Sequence, residues 1–133
     1  MTIGDGDRLS VPETAGRMAA AAGAFLASLS EAQRGRACFA FGDERRDRSF
    51  LPEPERDGLS IGALDDRQRR LAHELIVAGT SLPGYAKVVS VMAMEHMLRA
   101  LAPALADLFN PERYSFRVFG SPAPGPAPGA RVP

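Results

Sequence analysis

The 133-residue sequence has no tryptophan, one cysteine, one lysine and two histidines. Cys38 has no second cysteine to pair with, which excludes an intramolecular disulfide and a cysteine-based zinc site. A lone cysteine is typical of a reducing compartment, so we expect a cytoplasmic protein that is held together by packing alone. The length allows one domain with a modest core.

Net charge is also missing, because 16 basic residues balance 16 acidic ones and the isoelectric point is near 6.7. Proteins that bind nucleic acids or anionic membranes need a positive field that survives screening by salt. We therefore expect no nucleic-acid partner and no membrane partner. No apolar run reaches the roughly 18 residues that a membrane span requires.

Helical spacing of apolar residues is the main pattern that the sequence does contain. Three long segments show it: 10–29, 65–79 and 81–101. A shorter helix is predicted after Ser30, because Gln33 follows at the spacing of a capping box. Asp65 and Gln68 carry the same signal, and Gly79 is suited to end that helix in a left-handed conformation.

Extended structure is predicted in two places. Residues 38–41 are short, apolar and aromatic, and residues 114–119 alternate between apolar and polar side chains. Each of these segments needs a partner, and they are candidates to pair with each other. The predicted fold class is mainly α, with three longer helices, short helices, at most one short strand pair and a disordered Pro/Ala/Gly tail.

Composition divides the chain into three parts. Residues 1–9 are polar with nothing to bury, so we expect a flexible N-terminus. Residues 10–120 form the predicted helical domain. Residues 121–133 have almost no core-forming side chains and are rich in proline, alanine and glycine, which is typical of an extended or disordered tail.

The helix of residues 84–101 differs from the others because its apolar residues surround most of its circumference. Such a helix must be covered on nearly all sides, so we expect Val88, Val91, Met92 and Leu98 to be buried. The cover comes either from the other helices of the chain or from a second copy. A homo-oligomer joined through residues 84–119 is the alternative that the sequence favours.

No motif for catalysis, a metal or a cofactor is complete. His73 and Glu74 begin a zinc-protease pattern, but position 77 is valine where a second histidine is needed. With so few histidines and cysteines we expect no metal site, and no glycine-rich loop after a strand indicates a cofactor. His96 is a candidate pH-sensitive residue, although packed or surface histidines are commoner.

The densest group of charges lies in residues 44–57, where four arginines face five carboxylates. Arg46 and Arg56 are the candidates for binding a small anion, because paired arginines form forked hydrogen bonds to a carboxylate or phosphate. The alternative is a solvated loop with internal ion pairs, each contributing about 0–1 kcal/mol. The balance of charges favours the solvated loop. No catalytic residue is assigned.

Four segments carry a resemblance in order and spacing. They are FLASLSEAQRGRACFAF from Phe25, ERRDRSFLPEPERDGLSIGALDDRQRRLAHELI from Glu44, GYAKVVSVMAMEHMLRAL from Gly84 and NPERYSFRVFGSP from Asn110. Together they resemble the N-terminal portion of the bacterial domain-of-unknown-function family 3500. The resemblance covers about residues 20–123.

The resemblance implies a truncated member of that family. Members usually carry a tryptophan where this sequence has Arg48, and they continue past the segment matched by 119–122, where this sequence enters its tail. The family has no established activity. We therefore expect an uncharacterised helical module, equivalent to the front part of a larger bacterial protein and without catalytic activity of its own; the alternative is a small-anion-binding piece of an enzyme.

Overall fold

A computed structural model describes residues 12–47 and 57–122. In these residues the helices are α1 (Pro12–Ser28), α2 (Glu31–Ala37), α3 (Asp66–Gly79) and α4 (Leu82–Leu101). The strands are β1 (Cys38–Phe39), β2 (Leu59–Ser60), β3 (Ser115–Phe116) and β4 (Val118–Phe119). Short 3-10 turns occupy Glu44–Asp47, Ile61–Ala63, Pro103–Leu105 and Pro111–Arg113.

This architecture confirms the predicted mainly α class with three longer helices. The predicted flexible start and nearly all of the predicted tail lie outside the described residues, so the domain limits of 10 and 120 stay predictions. Within the described residues, no helix combines the length and hydropathy needed to cross a membrane.

Capping boxes begin α2 and α3 where the sequence predicts them. The Ser30 hydroxyl accepts from the N–H of Gln33, whose side chain accepts from the N–H of Ser30 at 2.9 Å. Asp65 and Gln68 exchange the same pair of bonds, at 2.8 and 3.0 Å. Each bond satisfies a first-turn N–H that has no partner inside the helix.

The end of α3 differs from the prediction. Gly79 is helical rather than left-handed, and among the described residues the glycines with positive φ are Gly58 and Gly120. Thr80 follows in an extended conformation, and its hydroxyl donates to the carbonyl of Ile76 at 2.8 Å. A threonine therefore satisfies a last-turn carbonyl of α3, and no left-handed glycine is needed there.

The core lies between α1 and α3, with Phe25 at its centre. Phe25 and Leu59 are fully buried, and the Phe25 ring centroid is 5.3 Å from that of Phe116. The buried side chains that share this cluster come from α2, α3 and the segments that follow α1 and precede α3: Leu29, Ala37, Leu64 and Ala72. The spacing of three and four residues along α1 places its largest apolar side chains toward α3.

The segment predicted as one strand forms two separate strands. β4 pairs in parallel with β1, with Val118 opposite Cys38, so the two candidate segments 38–41 and 114–119 do pair with each other. β3 pairs antiparallel with β2, with Phe116 opposite Leu59. The sequence predicts at most one strand pair, so the prediction is wrong in the number of pairs. Gly58 enters β2 at φ +114°, and a Cβ there would lie 2.8 Å from the carbonyl oxygen of Phe116. Only glycine fits this close approach without strain.

α4 lies outside the core. All of its residues are described and none is buried, and its main contacts are with α3 and the turn Pro111–Arg113. Val88 and Met92 are half-buried, whereas Val91 is 53% exposed and Leu98 is 37% exposed. The prediction that all four are buried within the chain is wrong, because α1 and α3 pack against each other instead of enclosing α4.

Gln68 is a buried polar side chain that joins three helices. Its Nε2 donates to the carbonyl of Ser28 at 2.9 Å and lies 2.9 Å from the side-chain oxygen of Gln33. The end of α1, the start of α2 and the start of α3 are thereby connected through one amide. A buried amide of this kind stabilises a fold only while its bonds are complete.

Replacing Gln68 by Met keeps the volume and removes these bonds. We expect a loss of about 1–3 kcal/mol in the free energy of unfolding, because the carbonyl of Ser28 and the amide of Gln33 lose a partner. Chemical denaturation measures the loss. The exposed Arg67→Met on the same helix is the control and should change stability by less than about 0.5 kcal/mol; equal effects of the two substitutions would contradict the role of Gln68.

Candidate functional site

A groove between α3 and α4 brings together both histidines of the chain. Its wide part, of about 690 Å³, is bounded by α1, α3 and the start of α4. Its narrow part, of about 250 Å³, continues between α3, α4 and the turn Pro111–Arg113. The polar side chains of this α3–α4 groove are Arg17, Arg69, Arg70, His73, Glu74, Tyr85, His96 and Glu112.

His73 is held by Tyr85 across the two helices. Its Nδ1 is 3.0 Å from the Tyr85 hydroxyl, and the two rings meet edge to face with centroids 6.0 Å apart. Among the described residues, Nε2 of His73 has no hydrogen-bond partner. When the Tyr85 hydroxyl donates to Nδ1, Nε2 carries the proton and can donate to a molecule in the groove.

Arg69 and Glu112 form a forked ion pair beside this histidine. The two bonds, from Nη1 and Nη2 to the two carboxylate oxygens, are 3.1 and 2.6 Å long. The hydrogen bond lowers the pKa of Glu112 and raises the pKa of Arg69 from their ordinary values. This pair fixes the turn Pro111–Arg113 to α3, so Arg69 has a structural partner already.

The narrow part of the groove offers charge but no metal site. His96 lies on α4 and, as a cation, contributes to lowering the pKa of Glu112. On the other side of α4, Glu95 accepts a hydrogen bond of 2.8 Å from Tyr114. Within the described residues, no three His, Cys, Asp or Glu side chains are placed to share a metal ion.

Of the two predicted anion-binding residues, Arg46 is described and Arg56 lies outside the described residues. Arg46 lies in the turn Glu44–Asp47, where its guanidinium carbon is 4.1 Å from the centroid of the Phe41 ring. Its Nε is also 4.0 Å from the carboxylate of Asp47. Anion binding by Arg46 and Arg56 therefore stays a prediction, and Arg46 does not line the α3–α4 groove.

Sequence reasoning singles out His73 and His96 but misses their neighbours. One signal was available, because Arg69 and Arg70 precede His73 by four and three residues and so share its side of α3. Tyr85 and Glu112 meet α3 only through tertiary packing. No spacing along the chain indicates that contact.

Comparison with known proteins gives the family. The family model described as "Protein of unknown function (DUF3500)" matches residues 12–129. The chain belongs to the DUF3500 family. The match includes every residue of the groove and confirms the resemblance. No curated protein and no solved structure matches the chain.

The Arg69–Glu112 ion pair should make the stability of this DUF3500 chain depend on pH. The two side chains are 35% and 48% exposed, so water screens the pair and Glu112→Gln should cost only about 0.2–1 kcal/mol at neutral pH. Because the folded-state pKa of Glu112 lies below its ordinary value of 4.5, the stabilisation is complete above that value. It is lost as the pH falls through the folded pKa.

Urea denaturation of wild type and Glu112→Gln at a series of pH values measures this effect. The difference in stability between the two proteins should be constant above about pH 5.5 and shrink as the pH falls below the ordinary pKa of the carboxyl group. Glu74→Gln is the matched control, because Glu74 is exposed and makes no ion pair among the described residues. A difference that is independent of pH would show that the ion pair contributes nothing.

Proposed function

We propose that this chain is a bacterial, cytoplasmic helical module that acts by assembling with a second copy of itself through α4, without catalysis of its own. The observation that carries the proposal is the outer face of α4, which is apolar and exposed. The compartment rests on the sequence, since Cys38 is the single cysteine, which is typical of a reducing compartment.

The outer face of α4 consists of Val91, Met94, Leu98 and Leu101. These residues are separated by three, four and three positions, which is the spacing of the contact stripe in helices that pack side by side. All four are exposed, and Leu101 reaches 77%. An apolar stripe with this spacing is typical of a surface that another helix covers.

Two charged residues of α4 lie toward the rest of the chain, whereas Lys87 is exposed at the N-terminal end of the stripe. Glu95 and Arg99 are half-buried, and Glu95 is bonded to Tyr114. A helix on the surface of a monomer normally has the reverse arrangement, with its apolar stripe facing the core. The distribution on α4 therefore favours a partner on the outer face.

A second copy fits this face because the stripe is self-complementary in an antiparallel pair. If Met94 lies opposite Leu98 of the other copy, the same register places Val91 opposite Leu101. Lys87 then lies near the C-terminal end of the other α4, which is the negative end of the helix dipole and is followed by Asp107. A symmetric dimer repeats each of these contacts twice.

If the chain is the front part of a larger protein, a different partner covers the outer face of α4. In that case a further segment packs on α4, and the 133-residue chain by itself is monomeric with an exposed apolar stripe. The oligomeric state of the chain separates the two hypotheses.

Light scattering of the purified chain at micromolar concentration tests the assembly. We expect a mass of twice 14.2 kDa for the wild type. Leu98→Glu would bury an unpaired carboxylate at the centre of the dimer, so its dissociation constant should rise at least about hundredfold.

The control is Leu82→Glu, which adds the same charge at the start of α4, outside the stripe and 81% exposed. This variant should remain dimeric. A wild type that stays at 14.2 kDa, or a dimer that both variants weaken equally, would overturn assembly through α4.

A further inference from the structure

The wide part of the α3–α4 groove has two chemically different walls. Val77, Ala78 and the ring of Tyr85 supply apolar surface, while Arg17 and Arg70 supply positive charge. Its volume of about 690 Å³ is within the range of small-molecule pockets, roughly 300–1,000 Å³. A ligand that matches both walls needs an apolar body and an anionic group.

Within residues 12–47 and 57–122, neither of the two guanidinium groups is neutralised by an ion pair. Arg70 makes no hydrogen bond or ion pair among the described residues, and Arg17 contacts only the neutral hydroxyl of Thr14, at 3.3 Å. Arg69, in contrast, is already bonded to Glu112. The wide part of the groove therefore holds two guanidinium groups that are available to a ligand.

The remaining charge selects the class of anion. Glu74 lines the same part of the groove and offsets one of the two guanidinium charges, which leaves one net positive charge. A monoanionic carboxylate matches that charge, whereas a dianionic phosphate would leave charge uncompensated beside Glu74. Arginine also presents parallel N–H groups at the spacing of carboxylate oxygens.

We propose that the wide part of the α3–α4 groove binds a small amphiphilic carboxylate. The carboxylate accepts hydrogen bonds from Arg70 and from Nε2 of His73, which lies one helical turn further along α3. The apolar body packs against Val77 and the ring of Tyr85. This binding mode uses the tautomer in which the Tyr85 hydroxyl donates to Nδ1 of His73, so that Nε2 carries the proton and can donate to the carboxylate. This site is independent of the outer face of α4.

Heteronuclear NMR titrations of the full chain test the site with three probes. Benzoate carries both the apolar body and the carboxylate, benzyl alcohol carries the apolar body without charge, and inorganic phosphate carries the charge without the apolar body. We expect benzoate to give saturable shifts of the amides around Arg70, His73 and Tyr85. The other two probes should bind at least about tenfold more weakly.

Two variants assign the binding to the proposed contacts. Arg70→Gln and His73→Gln should each weaken benzoate about tenfold, while Arg67→Gln, an exposed arginine of α3 outside the groove, should leave it unchanged. Circular dichroism confirms that each variant is folded.

Four results would overturn the proposal. They are the absence of saturable shifts with benzoate, tighter binding of phosphate or benzyl alcohol, shifts centred on Arg46 instead of the groove, and equal losses in Arg67→Gln and Arg70→Gln.

Discussion

Burial of Phe25 is the interaction on which the rest of the structure depends. Its fully buried ring packs in one cluster with Ala72 of α3 and Leu59 of β2, and it contacts Phe116 of β3. A single aromatic side chain thus connects α1 to α3 and to the C-terminal strands. Each strand is only two residues long, so the backbone hydrogen bonds of the sheets contribute little stability by themselves. Packing around Phe25 keeps the strands in register.

This small core determines the position of α4. Because α1 and α3 bury their main apolar faces against each other, α4 lies beside the core and not within it. Two hydrogen bonds attach its inner side, that of Tyr85 with His73 and that of Glu95 with Tyr114, next to half-buried apolar side chains such as Met92. On one side of α4 this attachment leaves a groove with two arginines that form no ion pair in the described part of the chain, and on the other side it leaves an apolar stripe. Both proposals follow from that arrangement.

The local structure was largely predictable from the sequence. The capping boxes at Ser30 and Asp65 and the helix from Ser81 depend on signals within a few residues. The extended segments 38–41 and 114–119 were also visible locally, and their pairing was a candidate because each needs a partner. The helix composition also predicts that α4 needs extensive cover, and this stays a prediction, because no residue of α4 is buried within the chain.

Tertiary contacts were not predictable in the same way. The composition of the helix predicts that Val91 and Leu98 are buried, but their burial depends on which helices pack together. In the structure α1 packs against α3, and both residues remain exposed. The groove was not predictable, because the partners of its α3 residues come from other elements. Tyr85 of α4 bonds to His73, and Glu112 of the turn Pro111–Arg113 bonds to Arg69. The second strand pair was not predictable, because Leu59–Ser60 is too short to show an alternation of apolar and polar side chains.

Hydrogen exchange measured at several protein concentrations tests the central claim, that α4 presents an apolar face for a second copy. Amides of α4 around Met94 and Leu98 should gain protection as the concentration rises, while those of α1 around Phe25 should not change, because the core lies within one chain. Protection of α4 that is independent of concentration, together with a wild type that stays monomeric, would contradict the account.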